Sequence, residues 1–99
     1  MIRPSTAIQL DKMRNLRFGM RAIALIEDTL GVKISKLDLS EVGVKDLAVF
    51  IWAGLVHEDA GLTVEKVMDL IDDSLGIKEV TEILGKAIEA SFGTPEKNA

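Results

Sequence analysis

Few residues in this 99-residue chain have side chains that can do covalent or metal chemistry. His57 is the only histidine and there is no cysteine, so a serine or threonine nucleophile has a single residue to act as its base. One histidine in the sequence HED does not make a two-histidine zinc motif. The eight glycines are dispersed rather than gathered into a phosphate-binding loop. The sequence therefore predicts a protein that is not an enzyme and that holds no cofactor or metal.

Two acidic pairs occur in nearly identical nine-residue stretches, LIEDTLGVK at 25–33 and LIDDSLGIK at 70–78. Paired carboxylates can bind a hard cation, but neither stretch has the alternating oxygen ligands and central glycine of a calcium loop. Core packing and a helix stop explain the repeat better, because a left-handed glycine ends a helix and the next apolar residue packs back on it. We therefore expect helices to end at Gly31 and Gly76, with the acidic pairs in solvent.

Positive charge is concentrated at the start of the chain. The first 21 residues hold five cations against Asp11, a net charge of +4, so the remainder carries −8. The five cations are Arg3, Lys12, Arg14, Arg17 and Arg21. One interpretation is a basic arm that contacts nucleic acid. The favoured one is a solvated face that pairs with the acidic body, because only Phe18 lies among the cations as a stacking platform and the acidic body repels phosphate.

Residues 6–18 fit two kinds of structure. Apolar residues alternate with polar ones on either side of Asp11 and Lys12, which predicts a short β-hairpin with its turn at those two residues. Alternatively, Asp11 caps a helix that continues into the next segment. The hairpin is favoured because Gly19 interrupts a continuous helix.

From Met20 onward, apolar residues recur at helical spacing. The predicted helices cover about 20–30, 44–58, 64–75 and 78–92, with a connection at 32–43. The inner face of the first helix is predicted to hold Ala22, Leu25, Ile26 and Thr29. The second helix is apolar on nearly all sides, which predicts a central position, and Thr63 is the predicted N-cap of the third. The fold class is therefore mainly α: a compact four-helix domain at 1–93, with an N-terminal arm or hairpin at 1–18 and a flexible polar tail at 94–99.

The longest run without charge or histidine is LAVFIWAGLV at 47–56. It is about half as long as the roughly 20 apolar residues that a membrane helix needs. The first residues lack the apolar region of a secretory signal. The absence of cysteine fits a reducing compartment. These features predict a cytoplasmic protein with no membrane partner.

The sequence Asp73-Ser74-Leu75 resembles the attachment site of acyl carrier proteins. This resemblance implies a phosphopantetheine group on Ser74 at the start of an acidic helix. However, Ser74 falls where a helix is predicted to end, and only 25 residues follow it, too few for the two later helices of that family. An acyl-carrier-like protein modified at Ser74 and a small nucleic-acid-binding protein with a basic arm are retained as alternatives.

Two longer stretches are similar to another family: LRFGMRAIALIEDTLG at 16–31 and VFIWAGLVHEDAGLTVEKVMDLID at 49–72. Together they resemble the small tail assembly chaperones of long-tailed phages, prophages and gene-transfer agents. In that family an LRFGM-like entry to the first helix precedes a W-A-G-L-x-H-E-D segment and an L-T-x-E-x-V helix start. The resemblance covers the middle two thirds of the chain.

The resemblance implies a virus-encoded protein of the host cytoplasm that coats the tape measure protein and hands it to tail tube subunits. It also implies that the chaperone is absent from the mature virion. A binder of this kind needs an apolar groove rimmed by charge. The residues predicted to contact the partner are Trp52, Phe50, Leu55, Val56, Met20 and Met68. An apolar helix with surplus faces also predicts a homo-oligomer.

Overall fold

The structure, a computed structural model, describes residues 5–33 and 43–92, with the backbone alone at residues 91 and 92. Most of the predicted connection at 32–43 and all of the predicted tail at 94–99 lie outside these residues. The predicted mainly α fold with an N-terminal hairpin is confirmed. The elements, in chain order, are β1 (Thr6–Gln9), β2 (Met13–Leu16), α1 (Met20–Leu30), α2 (Val44–Leu55), α3 (Val64–Ser74) and α4 (Ile77–Phe92).

The N-terminal segment forms the hairpin rather than the alternative helix. Strands β1 and β2 are antiparallel, with Thr6 opposite Leu16 and Gln9 opposite Met13. Because side chains alternate across a strand, one face of the hairpin carries Ile8 and Leu16, which are each 1% exposed. The hairpin therefore supplies one apolar face to the core.

Helix α2 is central, as its apolar composition predicts. It contacts α1, α3, α4 and β2, and every residue from Leu47 to Leu55 except Trp52 is buried. The helix ends at Leu55, three residues before the predicted boundary, and residues 56–58 form a turn. No helix within the two described ranges has the length and apolar character needed to cross a membrane.

Helix α1 begins and ends at glycines. Gly19 is its N-cap in an extended conformation, and only residues 17–19 separate the helix from β2. Gly31 ends it in the left-handed conformation, with φ 73°, and its N–H donates to the Glu27 carbonyl at 2.8 Å. The prediction of a stop at Gly31 is confirmed. Thr29, predicted on the inner face, is instead exposed.

The second copy of the repeat ends its helix differently, so the prediction of a left-handed glycine at Gly76 is wrong. Among the described residues Gly31 alone has a positive φ. Helix α3 ends at Ser74, and its C-cap Leu75 turns to an extended conformation. Gly76 then belongs to the start of α4: its carbonyl accepts from Val80, and its N–H donates to the Glu79 carboxylate at 3.1 Å. The repeated sequence ends a helix at Gly31 and begins one at Gly76, because only two residues separate the end of α3 from the start of α4.

Candidate functional surface

Arg14 fastens the hairpin to the loop after α2. Its side chain is about 6% exposed and makes two hydrogen bonds to the Asp11 carboxylate, at 2.8 and 2.9 Å. Its Nη1 lies 3.6 Å from Oδ2 of Asp59. The hydrogen bonds to Asp11 raise the pKa of Arg14, and the same contact lowers the pKa of Asp11. Arg14 is thus paired with carboxylates and is not free to bind phosphate; its contact with Asp59 reaches the acidic body, but its burial differs from the predicted solvated face.

Glu58 makes a second link between the same two regions. Both of its carboxylate oxygens accept from Asn15, one from the backbone N–H and one from the side-chain amide, each at 3.1 Å. These donors lower the pKa of Glu58, because they stabilise its ionised form. Asp59 also accepts from the Gly61 N–H at 3.1 Å. The two acids of the sequence HED therefore hold the hairpin and shape the turn.

Gly54 is the point at which the hairpin exit comes closest to α2. The Arg17 N–H donates to the Gly54 carbonyl at 2.9 Å. A Cβ atom on Gly54 would lie 2.9 Å from Cδ2 of Leu16 and 2.9 Å from Cζ of Phe18. Only glycine allows this approach without displacement of buried side chains. The stretches LRFG and WAGL are therefore in direct contact, although they are more than 30 residues apart in sequence.

Trp52 has a structural role that the sequence alone does not reveal. Its indole N–H donates to the Leu62 carbonyl at 2.9 Å, and its half-buried ring packs against the core. The bond joins α2 to the loop that precedes α3. Thr63, at the end of that loop, is the N-cap of α3, and its hydroxyl accepts from the Lys66 N–H at 3.1 Å, as predicted.

The predicted partner-binding residues do not form one surface. Phe50 and Leu55 are 0% exposed, so their assignment to a contact surface is wrong. Four neighbouring elements enclose α2, and the most apolar residues are therefore the least available to a partner. Trp52 remains partly exposed, while Met20, Val56 and Met68 lie in two separate depressions.

Met20 and Val56 line the same open depression of about 470 Å³, which we call the cationic groove. Met20 is 80% exposed, the highest fraction among the large apolar residues described. The groove is lined by Arg17, Gly19, Met20, Arg21, Ala22, Val56 and His57. It lies where the hairpin passes into α1 beside the end of α2.

Met68 lies instead in a smaller depression of about 110 Å³, which we call the apolar groove. The exposed residues Val44 and Ile77 line it too, at 60% and 49% exposure. The complete lining is Val44, Leu47, Ala48, Met68, Ile71, Asp72, Ile77 and Val80. It joins the start of α2 to α3 and α4.

The residues considered for chemistry are scattered. Within 5–33 and 43–92, no three metal-binding side chains lie close enough to hold an ion. Asp72 and Asp73 are exposed near the end of α3, and Ser74 is the exposed last residue of that helix rather than the first of the next. His57 is exposed in the cationic groove.

Sequence reasoning missed the residues that join the hairpin to the body. Arg14 and Asn15 precede Glu58 and Asp59 by more than 40 positions, and no local pattern connects them. The one signal was the favoured interpretation that the early cations pair with the acidic body. No protein-family model, curated protein or solved structure matches this chain.

Proposed function

We propose that this protein is a non-enzymatic phage tail assembly chaperone. In this role it binds the tape measure protein in the host cytoplasm, assists assembly of the tail tube, and is not retained in the mature virion. It acts as a homo-oligomer, so that several copies contact one long client. The proposal rests on the resemblance carried by residues 16–31 and 49–72.

The observation that supports it best is the contact between the two resembling stretches. Short helical patterns occur by chance in many proteins, so the proposal needs support beyond the letters of each stretch. Here the Arg17 N–H bonds to the Gly54 carbonyl at 2.9 Å, and Asn15, at the border of the first stretch, bonds to Glu58 of the second. The LRFG and W-A-G-L-x-H-E-D patterns thus contact each other, and we call this contact between residues 15–18 and residues 52–59 the joint. In this chain the two resembling stretches are therefore packed against each other, which supports the proposal.

The surface chemistry also supports the proposal. A groove that receives an amphipathic helix presents apolar side chains with charge at the rim. Both depressions fit this description: exposed Met20 stands beside Arg17 and Arg21, and exposed Ile77 beside Asp72. Methionine adapts to irregular apolar partners, which suits a client made of many unlike helical turns.

Co-expression with a tape measure protein tests the proposal. We would express the tape measure protein encoded beside this chain, alone and together with it, and then compare soluble and pelleted fractions before an affinity pull-down. The expected result is a client that is insoluble alone and soluble and co-purified when the two are expressed together. A matched co-expression with an unrelated acidic helical protein controls for a general effect on solubility. A client that stays insoluble and unbound at equal expression would end the proposal.

A further inference from the structure

Most residues of the motifs LRFGM and WAGLVHED are explained by the fold. Leu16 and Phe18 are buried, Gly19 caps α1, and Gly54 admits the hairpin. In the second stretch Trp52, Glu58 and Asp59 make hydrogen bonds that hold the hairpin and the loop after α2, and Ala53 and Leu55 are buried. Each of these residues has a structural reason for its type.

Three residues of the motifs LRFGM and WAGLVHED have no such reason. They are Met20, which is 80% exposed, half-buried Val56, and exposed His57. All three line the cationic groove, although they come from opposite ends of the joint. The side chain of Arg17 also lines this groove, while its backbone N–H donates to the Gly54 carbonyl. These side chains from both motifs therefore lie together at one place on the surface.

The cations of this groove differ from Arg14 in what they contact. Arg14 is buried and satisfied by Asp11 and Asp59. Arg17 and Arg21 make no ion pair or side-chain hydrogen bond with any described residue. Among the described residues nothing therefore pairs with these two guanidinium groups, which lie beside an exposed methionine and suit a partner that supplies both carboxylates and apolar surface.

We propose that the cationic groove binds an amphipathic helix of the client protein whose apolar stripe is flanked by Asp or Glu. This rests on the proposed chaperone function for the identity of the client, but not for the chemistry of the groove. The charge distribution supports the assignment. Residues after 21 carry −8, so a client carboxylate is attracted to the groove and repelled by the rest of the chain. Charge thus selects both the site and the acidic partner.

Nucleic acid is the less favoured occupant of the same groove. Phosphate binding gains from many cations, and here two arginines stand beside apolar Met20, Ala22 and Val56. The described part of the chain offers no exposed aromatic ring there for base stacking. The apolar share of the groove is used only by a partner that brings apolar side chains of its own.

A designed peptide tests the groove without any phage component. The probe is a fluorescein-labelled helical peptide of about 20 residues with leucines at i, i+3, i+4 and i+7 and glutamates on both sides of that stripe. Its counterpart carries lysine at each glutamate position, and a labelled DNA duplex is the third probe. Fluorescence anisotropy of the full chain is expected to show saturable binding of the acidic peptide below about 100 μM, at least about 10-fold tighter than of the lysine peptide. Added salt is expected to weaken it.

Arg21→Glu and Lys66→Glu form a matched pair of variants. Both reverse one exposed cation in the first turn of a helix, where a glutamate is favoured by the helix dipole, so neither is expected to unfold the chain. Arg21→Glu is expected to weaken the acidic peptide about 3- to 10-fold, and Lys66→Glu less than about 2-fold. Met20→Ser, at an 80% exposed position, is expected to weaken it about 5-fold through lost apolar contact. Circular dichroism of each variant checks the fold.

Several results would overturn the assignment. One is the absence of saturable acidic-peptide binding up to about 500 μM. Another is equal binding of both peptides, or equal effects of the Arg21 and Lys66 substitutions. Tighter binding of the DNA duplex than of the acidic peptide would mean that the groove binds nucleic acid. If Arg21→Glu loses self-association but still binds the peptide, the groove contacts a second copy of this chain. Failure of co-expression together with success of the peptide would remove the chaperone function but keep the groove. The reverse outcome would keep the function and place the client elsewhere.

Discussion

Substitution of Gly54 by alanine tests the contact on which the proposed function depends. The new methyl group would lie 2.9 Å from Cδ2 of Leu16 and 2.9 Å from Cζ of Phe18. Both side chains are at most 4% exposed, and the hydrogen bond from Arg17 to the Gly54 carbonyl opposes separation of the hairpin from α2. Overpacking of a core in this way costs about 1–3 kcal/mol. The gain in helix propensity from Gly to Ala returns about 0.5–1 kcal/mol.

Gly85 in α4 provides the matched control, because a Cβ there meets nothing within 4 Å. Gly85→Ala should therefore show the propensity gain alone and stabilise the protein by about 0.5–1 kcal/mol. Gly54→Ala should destabilise it by about 0.5–2 kcal/mol, so the two variants differ by the overpacking cost. Urea unfolding followed by far-UV circular dichroism measures both free energies. If Gly54→Ala stabilises the protein as much as Gly85→Ala does, the hairpin does not approach α2 in solution and the joint is refuted.

Three further substitutions probe the links around this joint. Because Asn15 lowers the pKa of Glu58 below its ordinary value of 4.5, the contribution of Glu58 to stability is present above about pH 4.5 and is lost as pH falls through the lowered pKa. Glu58→Gln should therefore make the fall in stability shallower between about pH 5 and 3 in urea titrations repeated across pH; an unchanged slope would contradict the link. Thr63→Ala removes the N-cap of α3 and should cost about 1 kcal/mol of unfolding free energy, with Thr63→Ser near wild type. Trp52→Phe replaces the indole by a smaller aromatic ring, leaves the Leu62 carbonyl without its donor and should cost at least about 0.5–1.5 kcal/mol by thermal or urea unfolding; no loss would mean that water replaces the indole N–H.

Local patterns predicted the elements because each one follows from local physics. The alternation before Gly19 favoured a hairpin, helical spacing gave α1, α3 and α4, and Thr63 capped α3 as its hydroxyl chemistry requires. The all-apolar middle of α2 predicted its central place, since such a helix is stable only when neighbours cover every side. These features depend on residues within one or two turns of each other.

The Gly76 prediction failed because the way a helix ends depends on the element that comes next in the chain. Gly31 and Gly76 stand in nearly the same nine letters. After Gly76 the chain enters α4 at once, and Glu79 is placed to accept the Gly76 N–H. That carboxylate, outside the repeated letters, draws the glycine into the next helix. A repeat of sequence is therefore a repeat of structure only when its flanks are also repeated.

The candidate surface was harder to predict than the fold because an apolar side chain can indicate either a buried core residue or an exposed contact residue. Phe50 and Leu55 were chosen as contact residues for being apolar on the most apolar helix, and that property buried them. Met20 belongs to the weakest part of the apolar pattern, the boundary between a strand and a helix, and it is the most exposed of the large apolar residues described. Only the tertiary joint showed that it shares a depression with Val56 and His57.

Trp52 is a poor position at which to probe client binding. Trp52→Ala would remove the bond to Leu62 and part of the core packing, so lost binding in that variant would not separate a missing contact from a loosened α2–α3 loop. Arg21→Glu touches no described hydrogen bond, and the first turn of α1 favours the new carboxylate. Its effect on a partner is therefore carried by the charge of the groove itself. A client that ignores this reversal but responds to Trp52→Ala would be sensing the integrity of the fold, and its contact surface would have to be sought at the apolar groove around Met68.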